Sequence, residues 1–427
     1  MQFFQDLVPS LNLSRWTPAV LRKHLLKEET ESIESLCRMM MKSDGEYSSL
    51  FLAERILNSF AKLDYQQRLD FFNVLLVDYD IDTDNIKSAV EEYDKNPDAA
   101  NLLRVTLAAE PGRQELLRRI NLAQHGTRRL VKMREHLLTA MREKPELKKI
   151  DTDFHHLFNA WFNRGFLLIQ PIDWTTPAHI LEKIIAYEAV HEIASWSELR
   201  RRLLPSDRYC YGFFHPSMED EPLVFVEVAL TDQIPRGIGE ILHHDTDSYT
   251  PENPSCAIFY SISNCHSGLA GVSFGNFLIK QVATSLKQRF PQLKTFSTIS
   301  PAPGFRSWLD SQARAHEDIA SLIAEFSADA DEAMRARLEK LAASYFLEQK
   351  NNRGRPLDPV ARFHLKNGAI LERINILGNP SEKGMQLSLG TMVNYVYDLS
   401  RVEENHEEYM KNNRVITSSQ VKKALSR

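Results

Sequence analysis

Residues 256–308 read CAIFYSISNCHSGLAGVSFGNFLIKQVATSLKQRFPQLKTFSTISPAPGFRSW. The apolar run 257–262 is typical of a buried strand, and it leads into a turn that is rich in glycine. A helical pattern of apolar residues then spans 277–290 and stops at Pro291. A second β-like segment, 295–300, ends in a proline turn. A strand, a turn, a helix and a strand in this order predict two parallel strands side by side in one sheet.

The glycines of this stretch suggest what the turn does. Gly268, Gly271 and Gly275 lie close together, although the whole chain has only 16 glycines. Glycines between a strand and a helix let the backbone approach a ligand, and free amides at a helix N-terminus favour a phosphate. The spacing matches neither the P-loop nor the dinucleotide fingerprint, which disfavours ATP hydrolysis of that kind and nicotinamide binding. Spacing alone fits an ordinary tight turn equally well.

Bulk composition excludes several classes of protein. A chain of 427 residues predicts two domains, and 43% hydrophobic with 26% charged residues is ordinary for a soluble globular protein. A net charge of -5 gives no reason to expect nucleic acid as a partner. No apolar run is long enough to span a membrane. The four cysteines lack zinc-finger spacing and predict reduced thiols in a cytoplasmic protein.

Residues 1–160 are predicted to form an all-α helical bundle. Segments 49–63 and 65–79 each place apolar residues on one face of a helix, and short connections between such helices imply a bundle. Lys and Arg between 113 and 149 alternate with Glu, which predicts a solvated helix face rather than an anion site. No catalytic constellation is visible here. We therefore expect this domain to serve interaction, and to make the protein a homo-oligomer.

Residues 161–427 are predicted to form a second, α+β domain. Strand candidates at 209–215, 223–230 and from Ala257 form an antiparallel meander that passes into the strand–helix–strand unit. The pair His155-His156 lacks the spacing of a helical metal site. The histidines and aspartates of 243–248 lie among loop residues and predict an exposed connection. We expect no metal site.

Several ordered segments resemble the malonyl-CoA decarboxylase family. The longest are residues 257–263, 267–275, 296–305 and 358–369. Shorter similarities occur at residues 161–167, 188–191, 373–375 and 394–395. The resemblance is strong from about residue 161 to about residue 400 and weaker before that.

This resemblance implies that the second domain has an acyl-CoA N-acetyltransferase-like fold with a central mixed sheet. In that fold, backbone amides of the turn after the central strand bind the pyrophosphate of coenzyme A. By position, the residues implied in this role are Ser267, Gly268, Leu269, Ala270, Gly271, Val272 and Ser273. The glycine pattern points to the same turn on physical grounds.

The resemblance also implies the catalytic pair. The catalytic histidine of the family falls on His364 and its active-site serine on Ser297, although on their own these would read as a buried core histidine and an ordinary strand serine. Three further residues are candidates for lining the site: Asn375, Asn394 and Tyr395. They fit equally well as buried polar residues whose hydrogen bonds are satisfied within the sheet. No G-x-S-x-G motif is present, which disfavours a hydrolase triad.

The implied reaction converts malonyl-CoA to acetyl-CoA and CO₂. The enzyme has to stabilise an enolate oxyanion and deliver a proton to C2. His364 is the candidate for proton delivery because imidazole titrates near neutrality, with Ser297 in hydrogen-bond reach to orient the carboxylate or relay the proton. No metal, biotin or pyridoxal site is visible, so we expect no cofactor. Two rival functions remain: an acyl-CoA N-acyltransferase, and a non-catalytic acyl-CoA-binding scaffold.

Overall fold

The structure, a computed structural model, describes residues 31–43, 45–242, 254–272 and 278–426. These residues fall into two compact units. The first contains the chain up to Asn163 together with the short segment His266–Val272. The second contains Arg164–Cys265 and the chain that follows Val272.

The first unit is helical throughout its described N-terminal part. Its helices are α1 Ile33–Met41, α2 Glu46–Lys62, α3 Tyr65–Val77, α4 Thr83–Lys95, α5 Ala99–Ala108, α6 Gly112–Ile120, α7 Gly126–Ala140 and α8 Lys148–Trp161. Four of them begin at a side-chain cap, supplied by Ser32, Asp64, Asp82 and Asp98. Asp64, for example, caps α3 by accepting the N–H of Gln67 at 2.9 Å. The apolar faces of the helices pack on one another, as Ala53, Ile56 and Phe60 of α2 illustrate. The predicted helical N-terminal region is confirmed.

Two basic residues of this unit depart from the predicted solvated face. Arg113 and Arg134 are buried, at 4% and 2% exposure. Arg113 pairs with Asp153, and Arg134 donates from Nε to Asp151 at 2.8 Å. A buried guanidinium needs such partners, and sequence alone shows neither the burial nor the pairing. The expectation of a uniformly solvated face is wrong for these two side chains.

The second unit consists of a mixed sheet with helices packed on it. Its strands are β1 Leu168–Ile172, β2 Arg208–Phe214, β3 Val224–Thr231, β4 Cys256–Asn264, β5 Thr295–Thr298, β6 Ser300–Pro301, β7 Ile370–Asn375 and β8 Met392–Val396. Its helices are α9 Ala178–Tyr187, α10 Trp196–Leu203, α11 Gly239–Leu242, α12 Leu278–Arg289, α13 Phe305–Ala313, α14 Glu317–Glu325, α15 Glu332–Leu347, α16 Pro359–Lys366, α17 Glu382–Ser388, α18 Val402–Asn412 and α19 Ser419–Ser426.

The sheet confirms the predicted α+β class with a central mixed sheet. Strands β1 to β4 form an antiparallel meander, and β4 pairs in parallel with β5 through the crossover helix α12. Strand β8 runs antiparallel to β5, β6 and β7. Strand β1 was not predicted; it lies at the sheet edge and contains Pro171, which lowers any strand signal in the sequence.

The parallel strands β4 and β5 separate part-way along their length. They pair only from Cys256, opposite Thr295, to Phe259, opposite Thr298. Beyond Phe259, β4 continues to Asn264 with β3 as its partner. The opening between the two strands exposes backbone and side chains that a closed sheet would cover.

Candidate active site

A cavity of about 230 Å³ lies where β4 and β5 separate. The second half of β4, the strand β6, the first turns of α16 and one loop residue form its walls. The lining residues are Val190, Phe259, Tyr260, Ile262, Asn264, Ser300, Pro301, Pro359, Val360, Phe363 and His364. The walls are mostly apolar, and their polar groups are those of Tyr260, Asn264, Ser300 and His364.

Helix α16 places His364 in this cavity. The helix begins at Pro359, a residue suited to the first helical position, and Asp358 caps it by accepting the N–H of Ala361 at 2.8 Å. The other carboxylate oxygen of Asp358 accepts the N–H of Gly304 at 3.3 Å, in the turn that follows β6. The cap therefore fixes the helix that bears His364 to the strand end that bears Ser300.

The imidazole of His364 is the centre of a chain of hydrogen bonds. Its Nε2 lies 3.0 Å from Oγ of Ser300, and its Nδ1 lies 2.7 Å from the hydroxyl of Tyr397. Ser300 in turn donates to Oγ1 of Thr298 at 2.9 Å. The ring of Tyr395 stacks on the imidazole, with centroids 4.5 Å apart and planes at 24°. Both ring nitrogens are thus engaged, which fixes the orientation of the imidazole.

Burial keeps this histidine neutral. His364 is 2% exposed, and burial lowers its pKa from the ordinary value of 6.5 to about 3. The phenol of Tyr397 is protonated as well, since burial raises its pKa well above 10. The expectation that His364 titrates near neutrality therefore does not hold for the protein without substrate. The chain from Tyr397 to Thr298 consists of neutral groups only.

The hydroxyl in reach of His364 belongs to Ser300, which corrects the expectation for Ser297. Oγ of Ser297 donates to the carbonyl of Thr298 at 3.3 Å, and Ser297 does not line the cavity. Side chains of a strand alternate between faces, so Thr298 and Ser300 share one side and Ser297 lies on the other. The hydrogen bond between the side chains of Ser300 and Thr298 shows that the two lie on the same side of the strand.

The three further candidates occupy different places. Tyr395 lies against His364, as described above. Asn394 is fully buried and bonds outside the cavity: its Nδ2 donates to the carbonyl of Thr298 at 2.8 Å. Asn375 donates to Oδ1 of Asn394 at 2.8 Å and lines a different pocket. The two asparagines satisfy each other and the sheet, which is the alternative that the sequence left open.

The glycine-rich turn follows β4 in sequence and packs within the first unit. The buried guanidinium of Arg134 donates from Nη1 to the carbonyls of Gly268 and Ala270, at 2.7 and 2.9 Å. A Cβ at Gly268 would lie 2.0 Å from the carbonyl oxygen of Val131, so only glycine fits there. Gly271 has a φ of +79°, which also favours glycine. Packing at Gly268 and the backbone conformation at Gly271 therefore account for the two glycines whether or not a ligand binds.

Most amides of the described part of this turn are already used. The N–H groups of Leu269, Ala270 and Val272 donate to carbonyls of the turn itself, at 3.0 Å each. Glu135 accepts hydrogen bonds from the Ser267 hydroxyl and the Gly268 amide, which help to lower its pKa against the opposing effect of burial. Ser273 lies outside the described residues, as do the histidines and aspartates of 243–248. Among the described residues of the turn, the amides of Ser267 and Gly271 donate no such bond.

Comparison with known proteins decides the family. The malonyl-CoA decarboxylase C-terminal domain matches residues 165–427, and the malonyl-CoA decarboxylase N-terminal domain matches residues 79–162. The chain belongs to the malonyl-CoA decarboxylase family. Members of this family are carboxy-lyases, so the chain is that of an enzyme.

Individual relatives are similar over most of the chain. A crystal structure of malonyl-CoA decarboxylase from Rhodopseudomonas palustris has 44% identity and a TM-score of 0.86, covering 92% of this chain and 98% of that one. The enzyme from Agrobacterium vitis has 47% identity and the same TM-score, covering 92% and 100%. The mitochondrial malonyl-CoA decarboxylase of Rattus norvegicus is 35% identical in an alignment of 355 residues that covers 74% of this chain and 72% of the relative.

The sequence did not point to Ser300, Thr298 and Tyr397 as members of the hydrogen-bond chain around His364. The alternation of a strand gives a signal for each, because 298 and 300 share a face, as do 395 and 397.

In the described residues, no group of three or more His, Cys, Asp or Glu side chains is arranged to hold a metal ion. No helix among those residues has the length and apolarity to cross a membrane.

Proposed function

We propose that this chain decarboxylates malonyl-CoA to acetyl-CoA and CO₂, using His364 and Ser300 in the cavity between β4 and β5. The supporting observation is the 3.0 Å contact between Nε2 of His364 and Oγ of Ser300. Both groups line a mostly apolar cavity, and the other ring nitrogen is held by Tyr397. This pair takes the role that the resemblance gave to His364 and Ser297.

The walls of the cavity favour loss of CO₂. Among the described residues that line it, none is Lys, Arg, Asp or Glu, and the imidazole is neutral. A substrate carboxylate that enters loses water and finds no cation to compensate. Decarboxylation turns this localised charge into neutral CO₂ and an enolate, whose charge is spread over the thioester. The apolar site therefore favours the transition state over the bound carboxylate.

The hydrogen-bond chain supplies the proton for C2. Breaking the bond between C2 and the carboxylate leaves its electron pair in the enolate, whose oxygen needs a donor such as the Ser300 hydroxyl. Ser300 then transfers its proton to C2, the Nε2–H of His364 returns a proton to the serine oxygen, and the Tyr397 hydroxyl gives its proton to Nδ1, so the imidazole stays neutral. A proton from solvent restores the chain, so each turnover takes up one proton and releases CO₂. A positioned acid of this kind is worth about 10²–10⁴-fold in rate.

The same proposal keeps the turn 267–273 as the place where the coenzyme pyrophosphate binds. Its support is the position of the turn directly after β4 and before helix α12, where helix-terminal amides favour anions. Among the described residues of the turn, Ser267 and Gly271 have amides available for that role. No organic or metal cofactor enters the proposed reaction, because the thioester itself delocalises the electron pair.

We also propose that the protein is a homo-oligomer, assembled through the helical unit. Helix α5 exposes Leu102, Leu103 and Leu107, at 51%, 57% and 61%. Leu103 and Leu107 are one helical turn apart and form an apolar surface. Light scattering coupled to size exclusion is expected to show an oligomer for the wild type and smaller species for Leu103→Glu with Leu107→Glu.

A cytoplasmic location remains a prediction.

Turnover without an acceptor tests the proposed reaction. Purified protein incubated with malonyl-CoA alone is expected to release CO₂ and acetyl-CoA in equal amounts. An N-acyltransferase would release them only with an amine acceptor, and a non-catalytic scaffold would bind the thioester without turnover. In heavy water, the acetyl product is expected to gain one deuterium at C2, because the proton comes from an exchangeable chain. Absence of CO₂ under these conditions contradicts the proposal.

A further inference from the structure

A second pocket, of about 460 Å³, lies elsewhere in the same unit. Strand β7, helices α15 and α19 and the loop before α11 form its walls, and none of its lining residues lines the cavity. The lining residues are Arg236, Glu332, Arg335, Ala336, Glu339, Arg373, Ile374, Asn375, Ile376, Ser419, Gln420 and Lys423. This basic pocket takes no part in the proposed reaction.

Its walls bring together more positive charge than negative charge. Arg236, Arg335, Arg373 and Lys423 face two carboxylates, both from helix α15. Within the part of the chain that the structure describes, no carboxylate lies within ion-pair distance of any of the four cations. Most other arginines that line cavities in proteins have such a partner. The basic pocket is therefore suited to receive negative charge from a ligand.

Arg373 shows this most clearly. Its Nη2 donates to the carbonyl of Pro235 at 2.8 Å and its Nε to Oδ1 of Asn375 at 2.8 Å, so the guanidinium is held in place by neutral acceptors only. Burial, and then the nearby Arg236, lower its pKa from the ordinary value, which means that the site disfavours the charge it holds. An anion between these two guanidiniums would relieve that disadvantage.

The geometry of the walls favours a phosphate. Helix α19 begins at Ser419 in the wall of the basic pocket, and the N-terminus of a helix favours anions. Guanidinium groups match the oxygens of phosphate with paired hydrogen bonds, and the size suits a small molecule rather than a single ion.

We propose that the basic pocket binds the phosphate groups of a small phosphorylated ligand. Arg373 is a fixed donor, whereas Arg236 and Lys423, both exposed, complete the contact from the opposite walls. The ligand is either a free phosphorylated metabolite or the nucleotide part of a second coenzyme A thioester, bound in addition to the substrate; both present phosphate groups. This inference does not depend on the reaction proposed above.

Titration calorimetry with inorganic pyrophosphate tests the inference on the full-length protein at low salt. We expect binding with a Kd of about 1 mM or tighter. The double variant Arg236→Gln with Lys423→Gln is expected to bind at least about tenfold more weakly. Lys422→Gln is the matched control, since Lys422 is an exposed residue on the same helix and does not line the pocket.

A second titration with saturating coenzyme A distinguishes the two sources. If pyrophosphate binds as tightly with coenzyme A present, the ligand is a free phosphorylated molecule. If coenzyme A prevents the pyrophosphate binding that the double variant also lacks, the ligand is the coenzyme nucleotide. The inference is overturned if pyrophosphate does not bind, or if the double variant binds it as tightly as the wild type. Because the readout is binding and not turnover, an inactive but folded protein leaves this test valid.

Discussion

The cavity and the glycine-rich turn solve the problem of buried polar groups in opposite ways. In the cavity, His364 lies between Ser300 and Tyr397, and all three are neutral. In the turn, the fully charged Arg134 holds two backbone carbonyls and is balanced by Asp151. Burial alone would raise the pKa of Asp151, but Lys148 and Arg134 outweigh it and lower that pKa.

The difference follows from what each region has to do. In the proposed reaction the cavity passes a proton along neutral hydroxyls and an imidazole that gives up one proton as it receives another, so the imidazole never has to hold a charge. A group that only holds a backbone turn benefits from permanent charge, because charged hydrogen bonds are the stronger ones. We therefore expect changes in the cavity to reduce turnover and changes at Arg134 to reduce stability.

The largest expected effect is that of His364→Gln. This change keeps a polar side chain of similar size but removes the group that exchanges protons with Ser300. We expect kcat to fall by about 10²–10⁴-fold, with the free energy of unfolding at neutral pH nearly unchanged. Steady-state release of CO₂ and chemical denaturation measure the two quantities. A variant that keeps most of its kcat would contradict the assignment of His364.

Arg134→Met is expected to show the reverse pattern. Removal of the guanidinium leaves Asp151 with Lys148 alone, the buried carbonyl of Gly268 without a donor, and the part-buried carbonyl of Ala270 without this one. We expect the free energy of unfolding to fall by about 3 kcal/mol. Urea denaturation measures it, and Arg142→Met at an exposed position is the control, expected to change stability by less than about 0.5 kcal/mol. Equal losses in the two variants would show that charge does not hold the turn.

Val190 tests the shape of the cavity rather than its polarity. Val190 lines the cavity, and its N–H donates to Oε1 of Glu188 at 2.8 Å, which fixes the loop. Val190→Ala frees the space of two methyl groups, so we expect the ratio of kcat/KM for methylmalonyl-CoA to that for malonyl-CoA to rise by about tenfold. Val190→Ile is expected to lower the ratio. If neither variant changes this ratio of kcat/KM, the reacting methylene of the substrate does not lie next to Val190.

The neutrality of His364 also predicts how stability depends on pH. Its pKa is about 3 in the folded protein and 6.5 when exposed, so the unfolded chain binds more protons between these values. Stability is therefore lost as the pH falls below about 6.5. Between about pH 7.5 and about pH 5.5, the wild type is expected to lose about 1 kcal/mol more than His364→Gln.

Comparison of these two proteins isolates His364 from other buried groups. Burial also lowers the pKa of His191 to about 3, which acts in the same direction, and raises that of Glu227 to about 7, which acts in the opposite one. Both groups are present in the wild type and in the variant. Identical pH dependence of the two proteins would mean that folding does not change the pKa of His364, which would contradict its burial as a neutral group.

The sequence predicted the fold well where local patterns decide it. The crossover from β4 through α12 to β5 was visible because a strand pattern, glycines, a helix pattern and a second strand pattern follow one another within 53 residues. The helical region was visible for a similar reason, since its helices have apolar faces and local caps. Strand β1 was missed because Pro171 and its exposed edge position remove the usual pattern.

The site was predicted only in part, because tertiary contacts decide it. His364 was found through resemblance, but its neutrality depends on burial, which no single sequence shows. Ser297 and Ser300 are both serines of one strand segment, and only the face of the strand distinguishes them. Arg134 lies in a mixed-charge helix like many exposed arginines, and its burial depends on a turn 134 residues away in sequence.

The most direct test of the account compares Ser300→Ala with Ser297→Ala. Each change removes one hydroxyl from the same strand segment, so the two variants have nearly the same chemistry but alter opposite faces. We predict that Ser300→Ala lowers the single-turnover rate of malonyl-CoA decarboxylation by at least about 10²-fold, whereas Ser297→Ala changes it by less than about tenfold. A large loss in Ser297→Ala together with a nearly normal rate in Ser300→Ala would contradict the account.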